Sequence, residues 1–474
     1  MPVSTEHSDY TRYKSDWTKI RDAIAGESVI KSKNETYLPR PAGMSGEYAD
    51  AYDDYKERAH FPLICSYALQ GTLGIILSRQ PEFKVPKKLE YLLKRATNDG
   101  LSLNQLFLSM INDVLQTGRV PIVIDIDQKR NEFRFVKYNA EDFINWKTKI
   151  NNEEAKKELS LAVFKELVPN ASDEFDHGTK DGYIVLSLLD NECIVRKYVQ
   201  DKVDPETTTG LLYYGRPIEQ IPVFIAGSID NSIDVQPIPL LAVANASIQI
   251  YRKEADLSNA EYLSCNPTLV ATGVVSEDEI PNVIGSSVLI TLSDPTARVF
   301  YTKTDVAALT HVAKHIDSLY EEAIRHGVSL LESRKGVEAA EALRIRQSVQ
   351  SATIYSVYLS VCNAITEGLK VMCKWAGLNE DSVDVDKPSS LTQEVPDSQM
   401  IKQLVEGYMS KVIPLHVIYR YSHLTGLIEA DVTYEDYVKL LSEQQQPENK
   451  TEGGNVSKTP NTEDNVEETE ELEQ

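Results

Sequence analysis

A helical pattern running from about Glu338 to Ala376 limits what this chain can fold into more than any other stretch. At 1.5 Å of rise per residue it spans on the order of 58 Å, wider than a single small domain. Its inner stripe is Ile354, Tyr358, Val361, Ile365, Leu369, Met372 and Ala376, small residues dominate its first part, and Gly377 is the stop. Directly before it stand Ser333, Arg334, Lys335 and Gly336, a short basic reversal between two helical patterns.

The segment ahead of that reversal is helix, β insert, helix. "PIPLLAVANASIQIYRKEADLSNAEYLSC" has prolines only at its entrance and predicts a helix of about 25 residues, with Leu240, Ala244, Ile248, Tyr251 and Ala255 as its apolar line. "NPTLVATGVV", "IGSSVLITL" and "ARVFYTK" then read as strands, punctuated by Pro267, Gly273, Pro281, Gly285 and Pro295. A second helix starts at Thr304 and Asp305, good capping chemistry, and carries Leu309, Val312, Ile316, Leu319, Ala323 and Leu330. Two long helices bracketing a compact β insert are not the alternation of a doubly wound sheet.

Upstream, the pattern is mostly helical with short strands as far as Lys157. Tyr13, Trp17, Ile20 and Ile24 form one helix face ending at Gly26, and "DGLSLNQLFLSMINDVLQTG" is an amphipathic helix closed by Gly118. "RVPIVIDID" and "EFRFVKY" predict a strand pair turned at Asp127 to Asn131, and from Leu159 to Ile229 the period is two, a β-rich unit. After a strand-like "DSVDVD", helices are predicted at Asp397–Val412, Pro414–Thr425 and Tyr434–Glu443. From Leu441 onward ten acidic residues face two lysines, and past Gln444 almost nothing is apolar, so a mobile acidic tail is expected.

Composition excludes several classes. With 49 basic against 72 acidic residues and a net charge of −23, a protein that coats nucleic acid with a basic surface is disfavoured. Cys65, Cys193, Cys265, Cys362 and Cys373 show no C-x-x-C spacing and sit among apolar neighbours, which predicts core thiols in a reducing compartment. No signal-type segment opens the sequence, and the best apolar run, Gly71 to Leu77, falls far below the ~20 residues of a membrane helix, so cytosolic synthesis is expected.

Chemistry-bearing motifs are sparse. The sequence holds no phosphate-binding glycine loop, nucleophile elbow or calcium loop. "HVAKH" puts His311 and His315 one helical turn apart, but a zinc hydrolase of that type needs Glu after the first His, and Val312 stands there. A partly exposed helix face explains the pair more simply. Asp53–Asp54 and Asp125/Asp127 could hold Mg²⁺, yet no further acidic box accompanies them and a solvated strand end suits Asp125/Asp127 better. Arg334 and Lys335 read either as a solvated loop or as cations held at the tip of two rigid helices for phosphate contact. Arg344 and Arg346 are weaker candidates of the same kind.

Several local motifs carry a resemblance. They are "WTKIRDAIAGE" followed by "YLP" (Trp17, Arg21, Asp22, Gly26, Glu27, Tyr37, Leu38, Pro39), "YDDYKERAHF", "GTLGIILSRQP", "TGRVPIVIDID", "YNAEDFINW" (Tyr138, Glu141, Ile144, Asn145, Trp146), the long "PIPLLAVANAS…" helix and "GVSLLESRKGVEAAEALRI". Their order, from about Trp17 to Gly377, resembles the portal proteins of tailed bacteriophages, in the subset of portal-like phage proteins of the DUF4055 family; Lys147 to Tyr214 and the terminal helices match by position only.

The resemblance implies an α+β portal fold in which residues 1–236 form the wing, 237–265 a stem helix, 266–303 the clip and 304–331 the second stem helix. Residues 332–337 would be the channel loop, 338–396 the long wing helix and wing strand, 397–444 the helical crown, and 445–474 a disordered acidic tail. It further implies a ring, usually dodecameric, at one capsid vertex of the virion, assembled in the host cytoplasm and passing double-stranded DNA during packaging and ejection. Its partners would be the terminase large subunit, the head-to-tail adaptor, and the major capsid and scaffolding proteins, with no membrane, no cofactor and no catalysis of its own. Ser333, Arg334, Lys335 and Gly336 would meet DNA in the channel, with Arg344 and Arg346 as lesser contacts. The residues leave two competing readings open: an intracellular helical adaptor or scaffold without a channel, and a divalent-metal enzyme using Asp125/Asp127 or His311/His315.

Overall fold

A computed structural model describes residues 2–46, 49–127, 130–151, 156–169, 177–190, 192–199, 202–203, 209–266, 269–273, 295–301, 306–327, 340–388, 398–424, 427–428 and 432–444. The chain is mixed α+β, as expected, and divides into two compact units, Met1–Thr392 and Gln393–Gln474.

The first unit opens with a helical base. Helix α1 (Ser8–Ala25) buries Trp17, Ile20 and Ala23 completely and stops at Gly26, whose φ of +97° a side chain would resist and whose N–H bonds the Asp22 carbonyl at 3.1 Å. Helices α2 (Glu27–Ser32), α3 (Asp50–Arg58) and α4 (Ile64–Leu77) follow, then strand β1 (Glu82–Lys84) and helix α5 (Tyr91–Lys94). Helix α6 (Leu103–Thr117) starts from a full capping box, Ser102 with Gln105, and ends at Gly118 in the left-handed region. Gly118 is doubly required, because a Cβ there would stand 2.6 Å from the Gln236 carbonyl oxygen.

Two antiparallel sheets come next. β2 (Arg119–Asp127) and β3 (Glu132–Lys137) pair as the alternation predicts, with Ile124 opposite Phe135. β4 (Phe143–Asn151), β5 (Lys156–Pro169), β6 (Thr179–Leu189), β7 (Glu192–Val199) and β8 (Lys202–Val203) run in that order across a larger sheet, and β9 (Thr209–Gly210) also pairs β7. β10 (Leu212–Tyr213) and β11 (Arg216–Pro217) make a small hairpin, and β12 (Val223–Gly227) returns to flank β2, giving the order β12-β2-β3. Strand β4 was not among the short strands foreseen in the mostly helical stretch up to Lys157.

Arg119 is completely buried where α6 meets these sheets. Its guanidinium lies 4.3 Å from the Trp146 ring centre and donates Nη2 to the Phe143 carbonyl at 3.1 Å, while Nε and Nη1 have no hydrogen-bond partner among the described residues. Burial pulls its pKa down to about 9. Nearby, Arg21 bridges Asp113 and Glu141, each at 2.9 Å, and Lys137 pairs with the buried Asp113. The Trp17 indole N–H closes the junction on the Thr117 carbonyl at 2.8 Å.

Helix α7 (Leu241–Cys265), strands β13 (Leu269–Thr272) and β14 (Arg298–Tyr301), and helix α8 (Val306–Gly327) realise the helix, β insert, helix order, and β13 pairs β14 antiparallel. The strand expected at "IGSSVLITL" and the Thr304–Asp305 cap lie outside the described residues. Helix α9 (Ala340–Ala376) ends at Gly377, φ +67°. Its predicted stripe is buried from Ile354 to Met372, packed on the β12-β2-β3 sheet closely enough that a Cβ on Gly368 would stand 2.6 Å from the Phe135 ring. β15 (Asp384–Asp386) then pairs back with β1.

The second unit contains α10 (Ser398–Met409), α11 (Leu415–Leu424) and α12 (Tyr434–Gln444). The first stops short of the expected Val412: Lys411 takes a φ of +63°, and the N–H groups of Val412 and Ile413 both turn back onto the Gly407 carbonyl. The tail expected past Gln444 lies outside the described residues. One cysteine expectation is corrected. Cys65, Cys193, Cys362 and Cys373 are buried, but Cys265 is exposed, because α7 has left the core by that point.

Candidate functional site

Helix α7 changes character along its length. Its first part is held by the base: Leu240 donates its N–H to the Leu115 carbonyl, and Val243, Ala244, Ser247, Ile248, Ile250, Tyr251 and Ala255 are buried. Phe61 meets Tyr251 edge-on at 5.8 Å, and the Tyr55 hydroxyl donates to Asp256 at 2.7 Å. The Arg58 guanidinium lies 3.8 Å from the Tyr262 ring centre and reaches Asn259 at 3.3 Å. From Asp256 to Asn266 no residue is buried, and Tyr262 and Leu263 are 46 % and 54 % exposed. The β14 aromatics continue that exposure, with Phe300 at 50 % and Tyr301 at 48 %. Helix α8 packs on α7 through Ile316 and Ala323, with Val312, Leu319 and Tyr320 at the margin. The pair forms a shaft, half anchored and half bare.

Two open grooves run along the anchored part. One, of about 510 Å³, lies between α1 and α7 and includes Lys19, Tyr37, Asn245, Gln249 and Arg252. The other, of about 420 Å³, includes Tyr55, Gln249, Arg252, Lys253, Asp256, His315 and Leu319. They share Gln249 and Arg252. Arg252 donates Nε to the Tyr37 carbonyl at 2.6 Å and lines both grooves. On α7 Glu254 is half-buried, and burial raises its pKa; Glu261 and Asp317 add to that rise and His60 opposes it. The Tyr320 phenol is raised by burial and by Glu254.

The residues singled out in the sequence fare unevenly. Ser333, Arg334, Lys335 and Gly336 lie outside the described residues, and positions 344 and 346 are placed in α9 only as backbone. His311 and His315 are exposed on α8. Asp125 is exposed, and Asp127 accepts from Arg134 at 3.3 Å. Asp53 and Asp54 pair with Lys56 and Arg58 on their own helix. Among the described residues no group of three or more His, Cys, Asp or Glu is placed to hold a metal, and no helix is long and apolar enough to cross a membrane.

Sequence reasoning missed the exposed aromatics at the free end of the shaft and the grooves along α7. A signal for the first was present in the apolar and aromatic residues of "EYLSC" and "RVFY". The grooves had none, since they are set by how α1, α7 and α8 meet.

Residues 239–376 match the model of a family described as a domain of unknown function (DUF4055). The match covers α7, the β13–β14 pair, α8 and α9, and it is the family expected from the residues. No curated protein sequence matches the chain. Among solved structures, the chain is similar to one from the neck of an empty gene transfer agent particle computed with C6 symmetry, at 13 % identity over 72 % of this chain and 85 % of that one, with a TM-score of 0.36. A chain of the virion of the native particle gives 11 % identity over 82 % and 94 %, TM-score 0.34. The neck of the native particle computed with C12 symmetry gives 13 % over 73 % and 85 %, TM-score 0.33.

Proposed function

We propose that this chain is the subunit of a portal-type ring at one vertex of a tailed-phage capsid, a conduit through which double-stranded DNA passes during packaging and ejection. The observation that carries the reading is the shaft. It lies inside the segment that matches the DUF4055 model, and its distal part leaves Tyr262, Leu263, Phe300 and Tyr301 about half exposed, Tyr262 beneath the Arg58 guanidinium. Exposed apolar residues grouped in this way mark an interaction surface. Head-to-tail packing of neighbouring shafts covers them and closes by rotation.

In this reading residues 1–236 are the wing, α7 and α8 the stem, residues 266–303 the clip, and α9 with β15 the strut back into the wing. Residues 397–444 form the crown. Ser333, Arg334, Lys335 and Gly336 form the loop that meets DNA, with Arg344 and Arg346 near it. The acidic balance suits the task, because a wall that lets a polyanion slide must avoid many simultaneous phosphate contacts. A terminase motor and a head-to-tail adaptor dock on the ring, which sits at the capsid vertex, and the chain itself does no chemistry.

The test is the mass and shape of the purified full chain. Light scattering and negative-stain imaging are expected to give a ring particle with a central hole. A monomer at micromolar concentration in every salt tried contradicts the reading.

A further inference from the structure

The shaft is chemically two-sided. Arg252 and Glu254 stand two positions apart on α7, as do His315 and Asp317 on α8, so the members of each pair point about 160° apart around their helix. The sides match between the helices. Arg252 and His315 line the same groove, together with Lys253, Leu319 and Asp256, whose carboxylate accepts from the Tyr55 hydroxyl. Glu254 and Asp317 are close enough on the other side for the carboxylate of one to raise the pKa of the other, and Glu261 joins them there.

These charges are largely unspent inside the chain. Lys253 reaches Asp256 only at 3.9 Å, and Lys19 pairs with Asp16 at 3.0 Å. Arg252, Glu254, Glu261 and Asp317 have no ion-pair partner among the described residues. Three carboxylates sharing one flank, one of them half-buried, repel each other, and that cost falls when cations are brought against them. His60 lies close enough to Glu254 to offset part of that cost, but Arg252 and Lys253 sit on the opposite flank, where no rearrangement within one shaft can deliver them. A second copy, translated around a ring, can.

We propose that the groove along α7 receives the acidic flank of a second copy, with Glu254, Glu261 and Asp317 of one shaft meeting Arg252, Lys253 and His315 of the next. The proposal rests on the ring reading and names the contact that orients it. A two-fold contact through either flank would set like charges together, so the arrangement selects head-to-tail association. Shape agrees with charge: the two open grooves, of about 510 and 420 Å³, share Gln249 and Arg252.

The experiment uses two variants of the full chain, R252E/K253E and E254K/E261K/D317K, alone and mixed in equal amounts, with ring fraction read by sedimentation at low ionic strength. Each variant alone sets like charges at every contact and is expected to lose assembly by at least about tenfold. The mixture is expected to recover it, because alternating copies restore opposite charges at every contact. Either variant assembling alone as the parent does, or a mixture of two folded variants failing to recover, overturns the proposal and leaves the ring reading standing. A parent chain that forms no ring overturns both. If charge reversal unfolds a variant, the neutral forms R252Q/K253Q and E254Q/D317N take its place. They must weaken the salt dependence of parental assembly, and an unchanged dependence overturns the proposal.

Discussion

Placing a methyl group on Gly368 tests how α9 is seated. A Cβ there would stand 2.6 Å and 3.0 Å from two ring carbons of Phe135 and 3.7 Å from Phe224. Phe135 is completely buried in the β12-β2-β3 sheet and has nowhere to swing. Gly74 on α4 is the natural control, also helical, but exposed and with nothing within 4 Å of its Cβ. Alanine gains about 1 kcal/mol of helix propensity over glycine at either site. At Gly74 that is the whole effect, whereas at Gly368 overpacking opposes it with roughly 1–3 kcal/mol. Gly74→Ala should therefore stabilise by about 0.5–1 kcal/mol, and Gly368→Ala should fall between no change and a loss of about 2 kcal/mol. The assay is urea unfolding of each full chain by tryptophan fluorescence, comparing midpoints, since a chain with two units need not unfold in one step. Equal upward shifts for both variants would refute the seating of α9 on Phe135.

Other expectations follow from buried groups. Arg119→Met removes a guanidinium with two unpartnered nitrogens while keeping its volume, so it should be neutral or stabilising, whereas Arg119→Ala should cost about 2–5 kcal/mol through the cavity it leaves; thermal melts of both decide. Burial pushes the thiols of Cys65, Cys193 and Cys362 up from 9.0 to about 12, so the folded state keeps protons that the unfolded chain releases. Their contribution is full below pH 9 and is lost as pH rises toward 12; Cys65→Ala should make unfolding midpoints less steep across that window, and an unchanged slope contradicts it. Replacing Arg334 and Lys335 together by alanine should leave ring assembly intact and weaken retention of DNA in particles, measured as DNA content per capsid; unchanged DNA content removes these two from the conduit.

Legibility varied with how local the signal was. Helix α7 was readable in its length of about 25 residues and its end at Cys265, though the expected stem helix began at residue 237 and α7 begins at Leu241, and α6 was readable at its Gly118 stop. Strand β4 was not, since its register against β5 shifts between Phe143 and Asn145 and again between Lys147 and Thr148, which breaks the period of two twice. The β1–β15 pair joins two three-residue strands from distant parts of the chain, with no local pattern to announce it. At the candidate site, the sequence offered the basic reversal and overlooked "RKE" and "HID" on the shaft helices. Both were in plain view, but only the packing of α7 on α8 reveals that Arg252 shares a side with His315 and Glu254 with Asp317.

The account stands on many copies standing side by side around an open axis, and a reconstruction of the assembled particle measures that directly. It should reveal a closed ring whose α7–α8 shafts touch flank to flank, with the turn from Ser333 to Gly336 lining the hole. A particle without a lumen, or one whose lumen is lined by other residues while that turn faces outward, would contradict it.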